Sequence, residues 1–193
     1  METIETAAAQ AFLTPEEYLA KERKALTKSE YRNGQIYAMP GASHEHNVIM
    51  GNTFAELHIQ LRDRTCIVYP SDMRVKVNST GRYTYPDVVV VCDEPQFEDS
   101  HFDTLLNPIV LIKVLSPSTA AYDRGEKFAS YQKLNSLCEY VLISQDSVWV
   151  EHYLRQEQDW NLTAFRSLDD VLFLVSIDCE LSLQAIYAKI QFS

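Results

Sequence analysis

Two stretches, Val88-Val89-Val90-Val91 and Ile109-Val110-Leu111-Ile112, are apolar at every position. A strand with one wet face alternates apolar and polar residues, so strands that never alternate belong in the interior of a sheet covered on both faces. This requirement predicts an α/β chain, more exactly an α+β mixed sheet, with helices above and below it. Further β-branched segments at Thr65–Tyr69, Met73–Val77, Glu139–Ser144, Val148–Leu154 and Trp160–Phe165 extend the sheet.

The flanking elements follow from local signals. Thr14-Pro15-Glu16-Glu17 combines a capping threonine, a first-turn proline and a capping-box glutamate, and so starts a short helix running to about Lys24. Asn33-Gly34 accepts the positive φ values of a tight turn and predicts a hairpin over Ser29–Met39. Met50, Phe54, Leu57 and Leu61 recur at helical spacing, giving a helix from about His44 to Arg62 that lays one stripe on the sheet. Helices are also expected at Tyr122–Leu134 and Leu181–Ile190.

At 193 residues, with no linker-like stretch, the chain reads as one domain over 1–193, its first twelve residues a flexible N-terminal segment. The longest apolar run, Ile109–Leu115, is interrupted by Lys113, whereas a membrane span needs about 20 apolar residues. The start of the chain lacks a signal-peptide pattern, so a cytoplasmic location is expected, with no membrane partner. Cys66, Cys92, Cys138 and Cys179 form no CxxC pair and read as buried free thiols. The formal net charge of −10 opposes binding to phosphate backbones. The charge is uneven, however. Residues 139–193 hold 3 Lys/Arg against 9 Asp/Glu, whereas Arg62, Arg64, Arg74, Lys76 and Arg82 outnumber Asp63, Asp72 and Asp87 between Leu61 and Val90. A local basic face and a solvated loop are both compatible with that segment.

Three charged positions interrupt the apolar pattern. Asp87 stands at the mouth of the Val88–Val91 strand, where it either caps the turn after Pro86 or is paired or metal-bound. Lys113 sits within a strand that is otherwise apolar; it either snorkels from an edge strand or has a buried partner. Asp123, Lys127 and Tyr131 fall at i, i+4 and i+8 of a helix, as either a solvated ion pair or part of a site. His44 and His46, two apart on a helix, point in different directions and do not make a zinc site. Ser116 and Ser118 read as turn and cap residues, with no covalent role.

Pro86-Asp87-Val88-Val89-Val90, Val114-Leu115-Ser116-Pro117-Ser118-Thr119, the Asp123/Lys127/Tyr131 set and Glu139-Tyr140-Val141-Leu142 together resemble the Uma-two family of endonucleases. That family is a branch of the PD-(D/E)XK restriction-endonuclease-like superfamily. The resemblance runs from Leu13 to Tyr153 and takes in Gly41-Ala42-Ser43, His46 and the Glu30–Gly34 hairpin. It implies a restriction-endonuclease-like core and Mg-dependent (or Mn-dependent) hydrolysis of phosphodiester bonds in DNA. Asp87 and Glu30 are the implied metal ligands and Lys127 the catalytic lysine. Two-fold assemblies are common, so a homodimer is a further expectation. The departure is at position 113, where the family glutamate is replaced by Lys113. An ammonium there competes with a metal for Asp87 and implies impaired cleavage; alternatively Lys113 serves as the motif lysine while Glu30 and Asp87 keep one metal. The rival reading is a catalytically inactive binding or interaction module.

Overall fold

A computed structural model describes residues 12–192; the expected flexible segment lies outside them except for Phe12. In chain order the elements are α1 (Pro15–Glu22), β1 (Ser29–Arg32), β2 (Gln35–Ala38), α2 (His44–Leu61), β3 (Cys66–Pro70), β4 (Arg74–Val77), β5 (Arg82–Thr84), β6 (Val88–Cys92), β7 (Thr104–Leu105) and β8 (Val110–Leu115). There follow α3 (Ala120–Tyr122), a π-helical turn (Asp123–Lys127), α4 (Phe128–Tyr131), β9 (Glu139–Ser144), β10 (Val150–Gln156), β11 (Asp159–Phe165), β12 (Val171–Leu174), a 3-10 turn (Val175–Ile177), β13 (Cys179–Ser182) and α5 (Leu183–Ile186).

A six-stranded mixed sheet, in the order β11-β10-β9-β8-β6-β3, forms the centre. Both all-apolar runs lie inside it: β6 between β3 and β8, and β8 between β6 and β9. Alternate side chains therefore feed two cores. Val88, Val90, Val110, Ile112 and Val114 pack under α2 with Leu57 and Leu61, together with β12, β13 and α5. Val89, Val91, Leu111, Leu115 and Leu142 face the opposite side. Helices alone were expected as the cover there. Instead that face is closed by α4 residues Phe128 and Tyr131 together with Val75, Val77 and Leu105 of a second, five-stranded sheet in the order β2-β1-β5-β4-β7. Strands as short as β5 and β7 leave too little periodicity to be read in advance.

The hairpin turn falls where Asn33-Gly34 places it, with φ values of 49° and 82°. Thr14 and Glu17 form the reciprocal capping box at α1; Thr14→Ala should cost about 1 kcal/mol in a urea titration, and an unchanged midpoint would show the cap to be idle.

Several sequence expectations are corrected. The buried stripe of α2 is Ile49, Thr53, Leu57 and Leu61, which leaves Met50 and Phe54 partly buried at its margin. Residues 179–182 pair with β12 as a strand, so the last helix begins only at Leu183. Cys66 and Cys92 are not free thiols: they stand opposite one another in the β3–β6 register and are joined by a disulfide. A separation of 26 residues hid that proximity; Cys138 and Cys179 are free. Most of the basic stretch is tied to carboxylates, Arg74 to Asp103, Lys76 to Glu98 and Arg82 to Glu126, and so presents no open basic face. Among the described residues no helix is long and apolar enough to cross a membrane.

Candidate active-site cleft

The antiparallel register pairs Val88 with Ile112, and the Asp87 N–H donates to the Ile112 carbonyl, which sets Asp87 and Lys113 side by side at the end of the strands. Lys113 follows the alternation of β8 and falls on the same face as Leu111 and Leu115. Because β8 is interior, the lysine has no route to water along an edge and is only 6% exposed. Its Nζ lies 2.9 Å from Asp87 Oδ2, which also accepts the Val114 N–H at 2.7 Å. The Tyr85 carbonyl is a longer contact of Lys113, at 3.5 Å. Burial by itself would raise the Asp87 carboxyl, but the Lys113 ammonium, with help from His46, outweighs it and holds the group well below the usual carboxylate range.

A second buried cluster adjoins this pair. Lys127 Nζ lies 3.0 Å from Glu30 Oε1 and 3.0 Å from Asp123 Oδ1. Glu30 also accepts the Tyr85 N–H, while the Asp123 carboxylate receives no hydrogen bond and is held by charge alone. The chain around Asp123 was expected to be a regular helix carrying either a solvated ion pair or part of a site. It is a π-turn, a distortion often met at functional sites, and it buries Asp123 and Lys127 together. One turn on, the Tyr131 hydroxyl meets Thr84 at 2.9 Å. Burial would discharge Lys127; Glu30, Tyr131 and Asp123 more than offset it and raise its pKa above the ordinary lysine value.

Glu30, Asp87, Lys113 and Lys127 therefore line one open cleft of about 1070 Å³. The β-hairpin brings Glu30, α2 brings His46, and the loop from Ser116 to the π-turn closes the far wall. His46, at the helix entry and within the stretch that carries the family resemblance, is a further member of the cleft. With Ser43 as the cap, its ring turns into the cleft, Nε2 standing 3.6 Å from Asp87 Oδ1 and Nδ1 buried without a partner. The Ser43 cap three residues earlier and the resemblance running through His46 were the available signals.

The family model Uma2, described as "Putative restriction endonuclease", matches residues 15–185. The chain belongs to the Uma2 family. Two relatives from Synechocystis sp. (strain ATCC 27184 / PCC 6803 / Kazusa) accompany that match. "Uncharacterized protein sll1609" is 39% identical over 152 residues, covering 78% of this chain and 86% of the relative. "Uncharacterized protein slr1290" is 38% identical over 181 residues, covering 93% and 94%. A crystal structure described as "a putative nuclease belonging to DUF820 from Anabaena variabilis ATCC 29413" superposes with a TM-score of 0.76. It covers 91% of this chain and 98% of its own, and at 19% identity the likeness shows a shared fold.

The donor set of this Uma2 cleft does not suit a resident magnesium ion. Such an ion takes oxygen ligands from one or more carboxylates and keeps several waters, yet an ammonium already sits on Asp87 and another on Glu30. Among the described residues no three His, Cys, Asp or Glu side chains gather as a metal cage.

Proposed function

We propose that this chain is a nuclease-fold protein that engages the phosphodiester backbone of DNA in the Glu30–Asp87–Lys127 cleft, with metal-dependent hydrolysis impaired by Lys113. One observation carries the reading: the Lys113 ammonium lies 2.9 Å from Asp87, both side chains buried, where a metal-binding carboxylate is expected. A fixed monovalent charge can neutralise phosphate oxygens. It cannot lower the pKa of a bound water as a divalent ion does. Membership of the Uma2 family supports the nuclease side of the proposal. The same reading takes the cytoplasm as the site of action and a two-fold homodimer as the assembly.

Lys113→Glu tests this. With its ammonium exchanged for a carboxylate, the variant should bind magnesium in calorimetry and gain thermal stability as magnesium is added, since a ligand that binds only the folded state stabilises it. Plasmid nicking should appear with it. The unaltered protein should show no magnesium-dependent melting shift and nick at background. Efficient magnesium-dependent nicking by the unaltered protein, unchanged in Lys113→Glu, would defeat the proposal and leave Lys113 as an ordinary motif lysine.

A further inference from the structure

The rim of the cleft differs from its floor. In the β1–β2 register Glu30 is paired with Tyr37, so Glu30, Arg32 and Tyr37 share the hairpin face turned to the cleft, while Tyr31 packs on Tyr18 and Tyr83 behind it with Ile36 alongside. From the mouth inward the rim is a column of alternating rings and cations. The Arg32 guanidinium lies 4.7 Å from the Tyr37 ring centre and 5.4 Å from that of Tyr122, and Lys127 Nζ lies 5.1 Å from the Tyr122 ring on the floor. Tyr37 is 40% exposed.

The cations divide in the same way. Lys113 and Lys127 are buried with buried partners and stay committed. Arg32 and Lys28 at the mouth pair with Glu126 and Asp72, whose side chains are 63% and 85% exposed. Exposed pairs of this kind are worth only about 0–1 kcal/mol, so a phosphate can take either cation without leaving a buried charge alone. The whole chain carries −10, which opposes a long duplex with its dense charge. An unpaired strand offers in addition the faces of its bases, and stacking on tyrosine needs no particular sequence.

We propose, resting on the reading of the cleft as a DNA site, that it takes an unpaired DNA strand. Tyr37 stacks on a base, and Arg32, released from Glu126, meets the neighbouring phosphate.

Fluorescence anisotropy of a labelled oligothymidylate of about 12 nucleotides, beside a duplex of equal length, tests this on the full-length protein. The single strand should bind more tightly than the duplex. Tyr37→Ala should weaken it about tenfold, Tyr37→Phe should stay within about twofold because the ring remains, and Glu126→Gln should tighten it by freeing Arg32. A melting curve of Tyr37→Ala matching the parent excludes loss of fold as the cause. Equal binding of duplex and single strand, or a Tyr37→Ala variant that binds like the parent, overturns the inference. If the duplex binds and Lys113→Glu still gains magnesium-dependent nicking, the proposed function stands without it; if neither form of DNA binds, both fall.

Discussion

Asp87→Ala is expected to destabilise the protein by about 3–5 kcal/mol, because it strands the Lys113 ammonium inside the sheet with only the long Tyr85 carbonyl contact. The double variant Asp87→Ala/Lys113→Met should recover most of that loss, since replacing both members of a buried pair removes the desolvation cost together with the attraction. Urea midpoints of the two single variants and the double variant form the cycle that reads the coupling. Additive losses would mean that the two side chains do not depend on each other. The pair also leaves a pH signature. The Asp87 carboxyl is held low in the folded protein, so its contribution is present above the ordinary aspartate pKa of about 4 and is lost as pH falls below it. The double variant should lack that part of the acid sensitivity.

Lys127→Met should be comparably damaging, at about 3–5 kcal/mol. It leaves Glu30 with only the Tyr85 N–H and Asp123 with no donor at all. Adding Asp123→Asn should return part of the loss by removing one of the two stranded charges. A Lys127→Met protein with the parent's urea midpoint would show that the cluster contributes nothing to stability. The pKa of Lys127 is raised in the folded protein, so its contribution is complete below the ordinary lysine value of about 10.4 and declines only as pH climbs through the folded value. The parent's stability should carry this alkaline loss and the Lys127→Met variant should not.

These two clusters also show how far sequence reasoning reaches. Val88–Val91 and Ile109–Ile112 state their own position, because short, β-branched, unbroken apolar runs bounded by turn residues fit strands covered on both faces. Asn33-Gly34 likewise fixes the hairpin through φ values open to those residues, and the motif residues announce the family that the 15–185 match bears out. Each of these signals is local and survives in the order of residues alone.

What joins the pieces is not local. Cys66 and Cys92, or Glu30 and Lys127, are neighbours only through strand register and packing. The π-turn at Asp123–Lys127 widens a helix whose side-chain spacing alone looks regular, and the second sheet covers a face for which helices were the simpler expectation. The sequence by itself determined that Asp87 and Lys113 interrupt an apolar sheet and so need partners, a consequence of the cost of burying charge. That the two meet was implied by the family resemblance at position 113; the 2.9 Å pairing itself, with His46 turned toward it and Lys127 beside Glu30 in one cleft, was decided by the tertiary structure, because distances across strands are not contained in chain order.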